Sequence, residues 1–147
     1  MGYEIRPFRV ADAMAIKDDV IESVWNGIFS WQTFEAAVRL GPAYTGWFNG
    51  QVMGVGGVML NDSRGIAWAL ISAKIPKLDI ARAGPKVKRY LDRIIKDYDL
   101  TELRATARAD LHKAQRYLRF LGFRRTGRTL NSQLDGSANY EYVRTVE

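Results

Sequence analysis

The sequence AQRYLRFLGF, at residues 114–123, is typical of the last turns of a helix that stops at a glycine and leads into a strand. Gly122 is predicted to end the helix as a left-handed C′ residue, with Phe123 folding back onto Leu118. Asp110 is predicted to cap the start of the same helix. Apolar residues recur along it at spacings of three and four, which predicts one buried face. They are Leu111, Ala114, Leu118 and Leu121.

Outward from this stretch, apolar periodicity and turn residues predict the order β-α-α-β-β-β-α-β-α-β-β in a single domain, residues 1–147. Asn49-Gly50 is a strong hairpin signal, because both residues tolerate positive φ. Gly84-Pro85 is predicted to open the third helix, which runs to Tyr98. Strands are predicted at residues 3–8, 43–48, 52–60, 65–71, 103–107, 123–130 and 140–144, and the first two helices at 11–24 and 31–40. Only strands 65–71 and 103–107 should pair in parallel, because the helix between them is a crossover.

Composition limits the kinds of site that the chain can form. There is no cysteine, which excludes disulfides and thiolate metal sites, and the single histidine, His112, makes a histidine-rich site improbable, so no metal site is predicted. The net charge of +6 suits a phosphate-bearing partner, either a nucleotide cofactor or nucleic acid, although a basic surface also serves solubility. Nucleic acid is the less supported partner, since the chain has no helix-turn-helix, zinc or aromatic RNA-binding pattern. No apolar run approaches the ~20 residues of a membrane span, and residues 1–10 lack a signal core, so a cytoplasmic location is expected.

The element order, together with three short motifs, resembles the GNAT family of acyl-CoA N-acyltransferases across essentially the whole chain. Ile5-Arg6-Pro7 followed by Asp12-Ala13 is similar to the family's first strand and helix. The hairpin WFNGQVMGVGG is similar to its second and third strands, and AQRYLRFLGF resembles its A-x-x-x-Y-x-x-L-G-F signature. The resemblance implies the GNAT fold, an α+β (α/β) sandwich with a mixed sheet of about seven strands and about four helices.

The resemblance also implies acetyl-CoA as the acyl donor and an amine of a protein or small molecule as the acceptor. The donor would lie between the two parallel strands, with backbone groups near Leu70, Ile71 and Ser72 contacting pantetheine. Its pyrophosphate would sit on a loop and helix N-terminus, where free N–H groups favour an anion. The amine would attack the thioester, a carboxylate or water would take its proton, and a tyrosine would protonate the departing thiolate.

The phosphate loop of the family, [QR]-x-x-G-x-[GA], is degenerate here, where the chain reads KIPKLDIARAGPKVKRY. No spacing reproduces the pattern, and Pro85 lacks an N–H where the loop needs donors. The side chains of Arg82 and Lys86 would then hold the phosphates. A solvated, basic helix start is the alternative. The predicted phosphate-binding residues are Arg82, Ala83, Gly84 and Lys86.

Four residues are candidates for catalysis. The family's acid tyrosine lies four residues before the glycine of Leu-Gly-Phe, where this chain has Leu118, so Tyr117 is either a displaced acid or a packing residue. His112 is either a base or a surface residue at the start of its helix. Glu35 and Glu102 are the candidate carboxylates.

The segment AWALISAKIPKLDIARAGPKVKRYLDRIIKDYD resembles GNAT-like proteins of short-tailed bacteriophages, including internal virion proteins. Two functions follow. The first is an acetyl-CoA-dependent N-acetyltransferase. The alternative is a non-catalytic GNAT-fold phage protein that binds virion or host partners, in the virion or the infected cell. A cluster of aromatic residues is either core, acceptor cleft or interface: Trp25, Phe29, Trp31 and Phe34.

Overall fold

A computed structural model describes residues 3–16, 31–131 and 138–146. These residues form seven strands and four helices in the predicted order. The strands are β1 Tyr3–Pro7, β2 Ala43–Phe48, β3 Gln51–Asn61, β4 Arg64–Ile71, β5 Glu102–Arg108, β6 Arg124–Asn131 and β7 Ala138–Thr145. The helices are α1 Val10–Ile16, α2 Trp31–Leu40, α3 Lys77–Asp97 and α4 His112–Phe120. Trp25, Phe29 and residues 17–24 of the first predicted helix lie outside the described residues.

The strands form one mixed sheet in the order β1-β2-β3-β4-β5-β7-β6. β4 pairs with β5 in parallel at Arg64↔Glu102, Gly65↔Leu103 and Ile66↔Arg104, which confirms the predicted crossover. The pairs β1–β2, β2–β3, β5–β7 and β6–β7 are antiparallel. The turn between β2 and β3 has φ of 49° at Asn49 and 80° at Gly50, as the hairpin signal predicts.

The chain divides into two compact units, residues 1–59 with 67–83 and residues 60–66 with 84–147. In the first unit, Phe8 and Phe34 pack edge to face among buried residues of α1, β3 and β4. A smaller cluster joins Met53, Ile75 and Ala83. In the second unit, apolar residues of α3, of β5 and of the position just before β6 are buried together with a fully buried side chain of β7. They are Leu91, Ile94, Ile95, Leu103, Ala105, Ala107, Phe123 and Tyr142.

The predicted start of α3 is wrong, because the helix begins at Lys77 and contains both Gly84 and Pro85. An interior proline costs ~3 kcal/mol relative to alanine, so tertiary contacts must hold the first turns. Ala83 is 4% exposed and packs with Met53 and Ile75. The Tyr3 hydroxyl donates to Asp79 Oδ1 at 3.3 Å, and this carboxylate lies in the first turn, where the helix dipole favours a negative charge. Packing therefore extends α3 beyond the stop that local sequence indicates.

The two ends of α4 differ in how well they were predicted. Gly122 has φ of 100°, its N–H donates to the Arg119 carbonyl, and the Phe123 N–H donates to the Leu118 carbonyl, each at 3.0 Å. These two bonds form a Schellman motif, which confirms the predicted C′ glycine. The predicted N-cap is wrong: Leu111 occupies that position, and the carboxylate of Asp110 instead accepts two hydrogen bonds from Arg108, at 3.0 and 2.9 Å.

The buried face of α4 contains an amide that the apolar stripe did not predict. Gln115 is 6% exposed, whereas Leu118 is only half-buried. The Gln115 amide donates to the carbonyls of Arg108 and Ala109, both at 2.9 Å, and its oxygen lies 3.5 Å from the Tyr142 hydroxyl. This side chain therefore joins the start of α4 to the end of β5 and to β7.

Candidate functional site

The predicted pantetheine contacts lie at the end of β4, and their backbone groups point in alternating directions. The Ser72 N–H donates to the Met53 carbonyl at 2.9 Å, so Ser72 faces β3. The Leu70 carbonyl also faces β3, because a Cβ built on Gly54 would lie 2.9 Å from that oxygen. Since direction alternates along a strand, the N–H and C=O groups of Ile71 point away from β3, and those of Ala69 do the same.

Two residues, Ala69 and Ile71, therefore direct backbone groups of β4 away from β3, and only Ile71 is among the contacts predicted from the sequence. A pantetheine arm carries amide groups that can pair with such an edge, so Ile71 and Ala69 fit this part of acetyl-CoA. The N–H of Ser72 and the carbonyl of Leu70 are directed at β3 instead. Ala69 could be identified only from the pairing direction of β4, which residue types do not reveal.

The predicted phosphate-binding residues do not form a loop. Arg82, Ala83, Gly84 and Lys86 all lie inside α3, where backbone N–H groups are used within the helix. A Cβ on Gly84 would lie 3.0 Å from Cε2 of Phe120 and 3.6 Å from Cε1 of Tyr117. The space beside Gly84 is thus filled by aromatic rings, and the N–H cradle of the family's loop is not formed. Only the cationic side chains remain to hold phosphates.

Of these cations, Arg82 has the more accessible side chain. Its side chain is 62% exposed and its Nη1 lies 3.7 Å from Asp79 Oδ1, whereas Lys86 is half-buried. Asp79 lies in the first turn of α3, and its own N–H donates to the Pro76 carbonyl at 3.0 Å. A phosphate at that helix end would be repelled by the Asp79 carboxylate, so an anion is expected farther along α3. Arg82, which is more exposed than Lys86, is the better placed of these two cations to bind it there.

Tyr117 lies within the contact between α3 and α4. Its ring centroid is 6.4 Å from that of Phe120, and both rings adjoin Gly84. Burial raises the pKa of the Tyr117 hydroxyl to about 12. The hydroxyl therefore keeps its proton at neutral pH and is able to donate a hydrogen bond.

Glu102 and His112, both in the second unit, lie in different settings. A hydrogen bond from Arg104, whose Nε is 2.7 Å from Glu102 Oε2, holds the pKa of the Glu102 carboxyl below its usual value. A carboxylate stabilised in this way is a poor base. His112 is the exposed first residue of α4.

Glu35 lies in an open groove of about 490 Å³ in the first unit. The buried ring of Phe8 and two arginines, Arg9 and Arg39, contribute to its lining. Arg9 lies 3.5 Å from the buried carboxylate of Asp12. The groove is lined by Phe8, Arg9, Val10, Ala11, Glu35, Val38 and Arg39. Of the two predicted carboxylates, Glu35 is the one that lies in this groove. Arg9 and Arg39 are not predicted as site residues. The i,i+4 spacing of Glu35 and Arg39 in the sequence is the only signal that could have indicated that these two lie together.

Comparison with solved structures identifies the fold. The spermidine N-acetyltransferase SpeG K23-Q34 chimera from Vibrio cholerae and hSSAT superposes with a TM-score of 0.76 and 11% identity, over 99% of this chain and 96% of that one. The ribosomal-protein-S18-alanine N-acetyltransferase from Escherichia coli gives 0.77 and 14%, over 99% and 94%. YncA from Salmonella typhimurium, a putative acetyltransferase solved with acetyl-CoA, gives 0.72 and 14%, over 100% and 95%.

The chain has the GNAT acyltransferase fold. At these identities the likeness establishes the fold alone. No family model matches the sequence, and no curated protein is similar to it. In the described part of the chain, no helix is long and apolar enough to cross a membrane.

Proposed function

We propose that the protein is an acetyl-CoA-dependent N-acetyltransferase that acts on an amine of a protein or small molecule. The observation that carries the proposal is the end of β4, where Ala69 and Ile71 direct backbone groups away from β3 in a chain with the GNAT fold. Acetyl-CoA supplies an activated acyl thioester when bound. The edge of β4 would align its pantetheine arm as an added strand does, through main-chain hydrogen bonds.

Tyr117 would act on the leaving group by hydrogen bonding. A thiol has a pKa of about 8.5, well below the pKa of about 12 of the Tyr117 hydroxyl. Complete proton transfer from the tyrosine to a thiolate is therefore uphill, and the hydroxyl would stabilise the departing sulfur while keeping its proton. Replacing Tyr117 with Phe should lower kcat by roughly 10²-fold or less, since even full general acid catalysis contributes ~10²–10⁴-fold.

Glu35 would act as the base that takes a proton from the acceptor amine. The residue is exposed in a groove lined partly by apolar side chains, and its carboxylate would take a proton through water. Replacing Glu35 with Gln keeps the shape of the side chain and removes the basic group. The variant should lose activity most at low pH, where the amine is protonated most and depends most on a base.

The phosphates of the donor would be held by side chains, because α3 passes through the stretch where the family has a loop. Binding should then weaken as salt is added, since exposed charge contacts are screened over ~10 Å at 0.1 M. The test is calorimetric titration with acetyl-CoA at two ionic strengths. Arg82→Ala with Lys86→Ala should weaken binding about tenfold, whereas the control Arg93→Ala with Lys96→Ala, near the other end of α3, should change it little.

Pro85→Gly tests whether the phosphates are held by side chains or by backbone N–H groups. In a loop, Pro85→Gly would return an N–H to the phosphate. Inside α3 that N–H would instead point at the carbonyl one turn earlier, so Pro85→Gly should leave the affinity for acetyl-CoA unchanged. Tight binding that is insensitive to salt and to the Arg82/Lys86 change would show that the phosphates are held elsewhere.

A non-catalytic GNAT-fold protein of a bacteriophage, bound to virion or host proteins, is the second candidate. The packing at Gly84 favours it, because Phe120 and Tyr117 occupy the space beside the only glycine of the phosphate-binding stretch. This function predicts no heat of binding with millimolar acetyl-CoA, and it predicts the chain in purified virions by mass spectrometry. Micromolar binding of acetyl-CoA would exclude it.

A further inference from the structure

Positive charge is concentrated in one segment of the second unit. Residues 112–131 contain six lysines and arginines and no aspartate or glutamate, while the whole chain has a net charge of +6. The segment comprises α4, the turn at Gly122 and β6. Its arginines, here called the α4–β6 arginines, are Arg116, Arg119, Arg124, Arg125 and Arg128.

The α4–β6 arginines are exposed, and they differ from other arginines of the same unit in lacking close carboxylates. Arg104, Arg108 and Arg144 each form an ion pair at 3.0 Å or less. Among the described residues, Arg116, Arg119 and Arg124 have no ion pair, and Arg128 lies 3.8 Å from Glu141. Their charge is therefore available to an anionic partner.

β6 presents three of these cations, Arg124, Arg125 and Arg128, on a sheet edge. It is the last strand in the sheet order and pairs with β7. The register shifts between Arg125 and Thr129, and Gly127 adopts φ of 93° within this irregular stretch. Residues 124–129, RRTGRT, are all exposed and contain only cations, hydroxyls and glycine. A protein interface needs apolar or aromatic anchors, whereas a phosphate backbone needs the groups found here, so the composition favours nucleic acid over an acidic protein.

Arg125 adds a stacking surface. Its guanidinium carbon lies 3.5 Å from the centroid of the Tyr140 ring, which is the distance of a flat stack. The Arg125 side chain is exposed, so the second face of its guanidinium group can receive a base. Guanidinium planes and aromatic rings are the groups on which unpaired bases stack.

We infer that the α4–β6 arginines bind single-stranded nucleic acid. The phosphates contact Arg116, Arg119, Arg124 and Arg128, and a base stacks on Arg125. A single strand is required, because the bases of a duplex are stacked on one another and cannot reach a guanidinium plane at a sheet edge. This binding is independent of acetyl transfer and uses none of the residues assigned to the donor.

The test is fluorescence anisotropy of the full-length chain with a labelled 20-nucleotide oligouridylate across a range of salt. With four phosphate contacts, log K should fall against log salt with a slope of about −2.8. Arg124→Gln/Arg125→Gln/Arg128→Gln removes two of these phosphate contacts and the stacking surface, so it should weaken binding at least about tenfold and reduce the slope by about 1.4. An unchanged affinity or slope would overturn the inference.

A matched control removes the same charge from another surface. Arg89→Gln/Arg93→Gln/Lys96→Gln, on α3, also removes one cation–π contact, since Arg93 lies 5.1 Å from the Tyr90 ring. It should weaken oligouridylate binding no more than about threefold, through the general loss of charge. Equal losses in both variants would show binding by net charge alone and would overturn the site.

Arg125→Lys separates stacking from charge. It should weaken oligouridylate binding several-fold and leave binding of inorganic polyphosphate unchanged, because lysine keeps the charge and loses the plane. Equal affinity for a 20-base-pair duplex or for polyglutamate would exclude a single-strand site. Titration of the triple variant with acetyl-CoA should match the wild type, which keeps this result separate from the test of acetyl transfer.

Discussion

The contact between Gly84 and Phe120 can be measured by a double-mutant cycle. In the interior of a helix, Gly→Ala stabilises by about 1 kcal/mol. In this chain the new Cβ would lie 3.0 Å from Phe120 Cε2, so the ring must turn away, and an off-rotamer side chain costs ~0.5–1.5 kcal/mol. Phe120 is 46% exposed, which lets it move without unfolding the helix. Gly84→Ala should therefore leave the free energy of unfolding within about 0.5 kcal/mol of the wild type.

Removing the Phe120 ring should allow Gly84→Ala to stabilise the helix by its usual amount. In a Phe120→Ala background, Gly84→Ala should add about 1 kcal/mol, which gives a coupling energy of about 1 kcal/mol between the two positions. Urea unfolding of the four proteins, followed by circular dichroism, measures each term. A gain of about 1 kcal/mol in both backgrounds would mean that the ring does not fill the space beside Gly84. A loss above about 2 kcal/mol in both would mean that the helix requires glycine itself at position 84.

Three further changes test the packing of α4. Gln115→Ala should cost about 2–3 kcal/mol in urea unfolding, because it removes two hydrogen bonds and leaves the Arg108 and Ala109 carbonyls short of a donor. Leu118→Ala should cost about 1–2 kcal/mol, less than the ~2–5 of a fully buried leucine, and a larger loss would place Leu118 in the core. The pKa of Tyr117 is raised to about 12, so the folded protein holds this proton more tightly than the unfolded chain does, and stability should fall as the pH rises from ~10 to ~12. Thermal unfolding at pH 9 and 11 should show a smaller fall for Tyr117→Phe, and equal falls would contradict the raised pKa.

The parts of the fold that sequence predicts well depend on local rules. Asn49-Gly50 and Gly122 have the positive φ values that their positions require, and each is recognised from neighbouring residues alone. The crossover from β4 to β5 follows from element order. These features need no information about distant contacts.

The parts that could not be predicted depend on partners far along the chain. Gly84-Pro85 is a sound local helix start, but α3 extends to Lys77 because Ala83 packs against Met53 and Ile75. Gln115 is of a type common on surfaces, but it is buried because the carbonyls of Arg108, at the end of β5, and of Ala109, the next residue, accept its hydrogen bonds. Tertiary contacts outweigh local preference at both places.

The candidate site was the least predictable part for the same reason. A resemblance to the family pointed to the end of β4, but the strand's pairing direction decides that Ile71 and Ala69, and not their neighbours, direct polar groups away from β3. The sequence predicts a loop before Gly84-Pro85, because this dipeptide is typical of a helix start, whereas in the structure residues 82–86 lie inside α3. The groove around Glu35 required Phe8 and α2 to be brought together, which no short motif encodes.

The parallel pairing of β4 with β5 has a consequence during synthesis of the chain. β4 reaches the ribosome exit before the whole of α3, and its partner follows only after that helix. At about 5–20 residues per second, several seconds pass in which one edge of an apolar strand has no neighbour. Such an edge can capture a strand from another nascent chain. The yield of folded protein should therefore depend on translation speed through α3, and slowing those codons should increase the aggregated fraction even though the finished protein is identical.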